Sequence, residues 1–337
     1  MKKIISLFIT LVLIISAFAG CAKSSDTDIA TTTEPIKIRL ASQQAEDHPQ
    51  TKALYKFKEL VEGESNGGMI VEVYPNCQLG APEAYNDSLI QGAIEMALPG
   101  TVMAQSYPLA ATPEMPWLFR DWDHARKALN GPEGEAIHSG IIEAVGVRCL
   151  GMMPLAFRVI TSNKEIKEYD DLNGLRLRVP NIPLYIDFAK GLSGVNVISM
   201  PLTELFTALE QDVVDAQENP YATITTSKYY EVQEYILESK HIFTAHGMYI
   251  NEEFYQSLSD ENQQIINDAS KESIDYCYDI SIQAEIDAKK FLEENGIKIT
   301  VPDEAFKEKL RESYDPTNFY KMYPGSKEVA EKIKMVQ

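Results

Sequence analysis

Two arginines stand where arginine is costly. Arg158 lies in the apolar stretch Ala156-Phe157-Arg158-Val159-Ile160, and Arg178 in Leu175-Arg176-Leu177-Arg178-Val179-Pro180. A guanidinium buried in such surroundings needs a polar or anionic partner, because an unpaired buried charge is strongly destabilising. Its planar fork matches a carboxylate through two parallel hydrogen bonds. The partner is either the acid group of a small ligand or an Asp or Glu of the chain itself, and chemistry alone leaves both open. Side chains alternate along a strand, so Arg176 and Arg178 share one face. Pro180 ends the strand and places Arg178 at its carboxyl end, where open α/β sheets bind ligands.

Signatures of catalysis are missing. There is no G-x-S-x-G, Walker A or H-E-x-x-H pattern. Asp121-x-Asp123-His124 contains potential metal ligands, but Asp at a helix start more often caps free N–H groups, and no metal or cofactor is implied. His241 and His246 are read as structural. With 31 Lys and Arg against 50 Asp and Glu, the net charge is −19. Such a surface repels phosphates and disfavours nucleic acid as a partner.

The elements that must position these groups follow from pattern. Ile36 to Leu40 alternates like a strand, and His48-Pro49 opens a helix with Leu54, Phe57, Leu60 and Val61 on one face. Further strands are expected at 69–74, 94–98, 147–152, 157–161, 175–179 and 195–198. Helices are expected at 82–91, 126–129, 133–145, 183–190 and 201–210. This alternation implies a parallel or mixed sheet covered on both faces. Asp260 to Asn295 has neither Gly nor Pro. It is either one helix of about 54 Å or two, broken near Asp275 to Asp279.

The run Thr203 to Leu209 with Val213-Val214-Asp215-Ala216-Gln217-Glu218-Asn219-Pro220 resembles the DctP-like solute-binding subunits of tripartite ATP-independent periplasmic (TRAP) transporters. Asp47-His48-Pro49, Tyr74-Pro75-Asn76-Cys77-Gln78-Leu79-Gly80, Gln91 to Ala97, Asp170 to Pro180 and Ser227 to Gln233 extend the resemblance, in order, over nearly the whole chain. It implies an α/β, two-lobed, periplasmic-binding-protein-like fold of type II character, with mixed sheets, flanking helices and a long helix bracing both lobes. The lobes would comprise 36–155 with 244–285, and 156–243 with 286–337, closing by a hinge over one organic anion. The resemblance also implies that Arg178 pairs with the ligand carboxylate, with Arg158 and Asn219 beside it. His48 and Glu83 are weaker candidates on loops, and Tyr221 and Trp117 could offer aromatic walls. Leu202 departs from relatives that carry an aromatic there.

The expected ligand is a sugar acid such as a uronate or aldonate, with a C4-dicarboxylate next. It would be delivered to TRAP membrane subunits by a monomer that performs no chemistry on it. The alternatives are the binding protein of an ABC importer, or a secreted hydrolase or lyase using Glu83 or Glu218. The enzyme would need two carboxylates about 5–9 Å apart across the cleft.

The start of the chain reads as an export signal. Lys2 and Lys3 precede an uncharged apolar run, Ile4 to Phe18, that ends in Ala19-Gly20-Cys21. Residues 1–20 are the expected signal peptide. Cys21 resembles a lipobox cysteine, with Phe18 where Leu is usual, and would be acylated. Residues 21–35, poor in large apolar side chains, would tether the protein to the outside of the cell membrane. Cys77, Cys149 and Cys277 are expected to be buried, unpaired thiols.

Overall fold

A computed structural model describes residues 34–337, so the signal, Cys21 and most of the tether lie outside the described residues. Ten strands follow in chain order. They are β1 (Ile36–Ser42), β2 (Met69–Tyr74), β3 (Met96–Leu98), β4 (Val147–Ser162), β5 (Arg176–Val179), β6 (Asn196–Ser199), β7 (Ala216–Pro220), β8 (Tyr235–Leu237), β9 (Phe243–Asn251) and β10 (Lys298–Thr300). The ladder runs β2-β1-β3-β9-β4-β7-β5-β6, with β8 also on β4 and β10 on β8. Strands β1, β2 and β3 are mutually parallel, as are β5, β6 and β7. Antiparallel pairs centred on β4 and β9 join the two sets. The first lobe is built on β1–β3, the second on β5–β8 and β10, and β4 belongs to both.

That double membership corrects the expectation of two strands at 147–152 and 157–161. Pro154 cannot donate to a ladder, yet β4 passes through it by shifting register between Cys149 and Met152 and between Pro154 and Ala156. Bulges of this kind bend a strand without ending it. Gly151 serves the same passage, with φ at 142° and no room for a Cβ, which would meet Ile274 Cδ1 at 2.6 Å. After Phe157 the strand leaves β9, and residues 158–162 pair with β7 and 160–162 with β8.

Ile274 belongs to the long helix, which is continuous over Asp260–Glu294 for 35 residues. The acidic stretch that could have broken it is held from outside. Arg126 donates to Asp275 at 2.9 Å and to Asp279 at 2.7 Å, and between them the buried Tyr278 meets the Trp122 ring edge-on. The helix packs on Pro49–Glu64 of the first lobe and on Tyr221–Thr226 of the second, where Ala288 and Leu292 join the core. One helix thus touches both.

The expected helix at 133–145 is two, Pro132–Ile137 and Ile141–Val145, separated at Gly140. The segment 201–210 begins as a 3₁₀ turn, Leu202–Glu204, before the helix Leu205–Glu210. The C-terminal helix Ser326–Met335, grouped by sequence with the second lobe, packs on Pro108–Glu114 and Pro132–Ile137 of the first. The three described cysteines are unpaired; Cys277 is buried, but Cys77 and Cys149 are only half-buried. Asp121 caps the helix Trp122–Leu129 by accepting from His124 N at 2.8 Å, and the His124 ring contacts Ile333 O.

Candidate ligand-binding site

Five strands, two from one parallel set and three from the other, end at one cavity of about 70 Å³. Gln43 and Gln44 follow β1, Pro99 and Thr101 follow β3, and Pro180 to Ile182 follow β5. Met200 to Thr203 follow β6, and Asn219 sits at the end of β7. Convergence of carboxyl ends is the usual ligand position in α/β sheets. Each lobe contributes one side.

Arg178, near the end of β5, lines this cavity and is 1% exposed. Its Nε and Nη2 both donate to Met200 O, at 3.1 and 2.7 Å, while Nη1 has no partner. No carboxylate of the described chain lies within ion-pair distance of it. Burial pushes the guanidinium down to about 10, since desolvation disfavours the charged form. A cavity-lining cation with an unused donor is a seat for an anion. Its neighbour on the same face has the opposite fate. Arg176 is partly exposed and forks onto Asp215, with Nη2 2.6 Å from Oδ1.

Arg158 also lines the cavity, but the chain supplies its partner. The guanidinium donates to both carboxylate oxygens of Glu218, to Glu218 O at 2.6 Å and to Asn219 Oδ1 at 3.0 Å. Burial alone would lower its proton affinity, but the adjacent Glu218 charge raises it above the ordinary arginine value. Burial would raise Glu218, yet Arg158 and His241 hold it below the usual carboxylate range. His241 Nε2 stands 3.3 Å from Glu218 Oε2, and its ring stacks on Phe188 at 4.5 Å. Asn219 accepts from Arg158 and donates to Gln217 Oε1 at 2.6 Å. Its orientation is therefore fixed before any ligand arrives.

The weaker candidates separate. Glu83 is exposed in the first turn of the helix Pro82–Ile90 and lines the cavity. His48 and Tyr221 do not line it. His48 is the N-cap of the helix Pro49–Glu64, its Nδ1 accepting from Gln50 N at 3.1 Å, and its Nε2 lies 3.4 Å from Thr223 Oγ1. Tyr221 is buried in the core of the second lobe. Trp117 packs edge-on against Phe188 and borders a different pocket. Sequence reasoning missed Gln43, Gln44, Thr101, Asn181, Tyr185, Thr203 and His246 as lining residues. His246 sits on β9, the strand inserted between β3 and β4, and burial keeps it neutral by lowering it to about 3. Gly100, at φ 64°, lets the chain turn close to His246, where a Cβ would stand 3.0 Å from Nε2. Among the described residues no group of three or more His, Cys, Asp or Glu side chains could hold a metal ion.

The sequence profile of DctP, described as a bacterial extracellular solute-binding protein of family 7, matches residues 40–322. This chain belongs to the DctP family. It is therefore an extracytoplasmic solute-binding protein of the TRAP type. DctP proteins are not catalytic, which removes the hydrolase or lyase alternative, and the TRAP type replaces the ABC importer. Solved DctP relatives share the fold closely. A Haemophilus influenzae TRAP solute-binding protein with bound L-gulonate is 37% identical, with TM-score 0.85 over 90% of this chain and 100% of that one. One from Desulfovibrio desulfuricans with bound sn-glycerol-3-phosphate is 35% identical, with TM-score 0.84 over 88% and 96%. A sugar acid binding protein from Advenella mimigardefordensis in complex with galactonate is 36% identical, with TM-score 0.84 over 89% and 97%.

Proposed function

We propose that this protein captures a sugar acid, an aldonate such as gulonate or galactonate, and hands it to TRAP membrane subunits. The observation that carries the reading is the buried Arg178 guanidinium, unpaired at Nη1 and facing a cavity rich in neutral polar groups. One cation seats one carboxylate; Gln43, Gln44, Asn181, Thr203 and Asn219 suit hydroxyls. The similar proteins with L-gulonate, galactonate and sn-glycerol-3-phosphate bound all hold a hydroxylated chain with one anionic end. A C4-dicarboxylate is less well served, because Arg158, the second cation, is already neutralised by Glu218.

Arg158 and Asn219 act in this reading as a preset wall beside the carboxylate seat, and Glu83 as a rim residue. His48 holds a helix end and Tyr221 a core, so neither is assigned to the ligand. Hinge closure of the lobes about β4 and β9 completes the site. A thermal-shift screen with L-gulonate, D-galactonate, a uronate and succinate tests the reading. A true ligand at 100 times its Kd adds about 2.7 kcal/mol to folded-state stability. Succinate stabilising the protein while no sugar acid does would sink the proposal.

We further propose that the mature protein is a monomer held to the membrane by acylated Cys21, the tether 22–35 giving it reach. Support comes from the charge and apolar pattern of residues 1–21 alone. Mass spectrometry of the mature N-terminus decides it: a diacylated or triacylated Cys21 is expected, and an unmodified terminus elsewhere removes the anchor.

A further inference from the structure

A buried carboxylate remains without a role. Glu114 is 1% exposed and stands behind the cavity wall rather than in it. Its Oε2 accepts from Thr101 Oγ1 at 2.6 Å and from the Tyr185 hydroxyl. Both donors line the cavity. Thr101 comes from the first lobe, just after Gly100, and Tyr185 from the helix Pro183–Gly191 of the second. The Tyr185 ring also lies under the Arg158 guanidinium, 4.9 Å from its Cζ.

A hydroxyl has one proton and two lone pairs, and an ionised carboxylate only accepts. Above about pH 7, where Glu114 is ionised, both hydroxyl protons are thus committed to it. What Thr101 and Tyr185 have left to offer the cavity is lone pairs. Lone pairs accept from ligand hydroxyls and repel carboxylate oxygens. The negative charge of Glu114 behind the wall acts in the same direction. Arg158 faces the same region, but Glu218 already balances its charge.

We infer that Glu114 is a specificity-determining residue: by consuming the protons of Thr101 and Tyr185 it makes one end of the cavity an acceptor surface, which takes a hydroxylated chain and refuses a second carboxylate. The inference rests on the sugar-acid reading and explains how a site of this kind tells an aldonate from a dicarboxylate.

The test is calorimetry, direct or by competition, with L-gulonate and succinate at about pH 8, on the mature protein and its Glu114→Gln and Tyr185→Phe variants. Both hydroxyls reach the same oxygen, Oε2, so in Glu114→Gln the amide oxygen can still accept from both while the negative charge behind the wall is gone. The preference for L-gulonate over succinate should fall by about tenfold or more, because the like-charge repulsion of a second carboxylate is removed. Tyr185→Phe removes one acceptor, so it should weaken L-gulonate and leave succinate unchanged. A purely structural role would weaken both ligands alike and keep their ratio. An unchanged ratio in both variants overturns the inference, and Tyr185→Phe alone decides it if Glu114→Gln does not fold. If the unaltered protein binds succinate but neither L-gulonate nor D-galactonate, the sugar-acid reading falls and the inference with it; binding of either sugar acid with an unchanged ratio against succinate fells the inference alone.

Discussion

Arg178 spends two of its donors, Nε and Nη2, on the single carbonyl of Met200. That pairing ties the end of β5 to the end of β6 and sets the plane of the guanidinium, leaving Nη1 as the group still to be satisfied. Lysine keeps the charge but loses the plane. Arg178→Lys should therefore weaken L-gulonate binding by roughly 30- to 4,000-fold, from about 2–5 kcal/mol. Arg176→Lys should change it little. Calorimetry on both variants, with circular dichroism as the folding control, checks this; wild-type affinity in Arg178→Lys would show the clamp to be misassigned.

Glu218 is fully buried against Arg158. Deleting one partner of such a pair strands the other charge, at about 3–5 kcal/mol. Glu218→Ala should lower stability on that scale in urea titration. Asp215→Ala, which breaks the partly exposed pair with Arg176, should cost about 1 kcal/mol or less. Equal losses would contradict the burial argument.

Acid should destabilise the fold before most carboxylates titrate. Burial pushes His48 and His246 down to about 3 and His138 to about 4, and lowers His241 as well. Unfolded histidines take up protons near 6.5, so the unfolded chain binds more protons than the native one below that pH. Stability is full above about 6.5 and is lost as pH falls toward 4. Glu114 opposes this: burial pushes it up to about 7, so its contribution grows as pH falls from 7 to its ordinary 4.5. Four histidines outweigh one carboxylate. His48→Asn keeps an N-cap acceptor and should make the pH slope of the urea midpoint shallower by about one proton.

Gly151→Ala places a methyl 2.6 Å from Ile274 Cδ1 at a φ of 142°. Overpacking of this kind costs about 1–3 kcal/mol, and the backbone conformation adds to it. Ile274→Val should recover part of the loss in the double variant, though not the share due to φ. Urea denaturation of the three variants measures the coupling.

Much of the frame was legible in the sequence because it follows local rules. His48-Pro49 marked a helix start, Pro180 a strand end, and the run 260–294 lacked any breaker. The carboxylate partner of Arg158 was not legible. Glu218 lies 60 residues away and meets it only because β4 and β7 pair in one register, Ile160 opposite Glu218 and Arg158 opposite Pro220. The same holds for His246, read as structural, whose place at the cavity depends on β9 entering between β3 and β4. Thr101 and Tyr185 carry no sequence signal of their own. They acquire meaning only from Glu114, which pattern analysis treats as one acid among many.

The order of strands also governs how the chain can be assembled in time. Met96 of β3 waits for Ile250 of β9, and Val147 of β4 for Asn251 of the same strand. The first lobe therefore has a gap in its sheet until the second lobe has been threaded through and the chain has returned. With only the amino-terminal third or half of the polypeptide made, the strand that joins β3 to β4 is still missing. Long-range pairings of this kind raise contact order and slow folding. A chain bound for the far side of a membrane gains from that delay, since it reaches the translocation machinery with its central strand still unpaired.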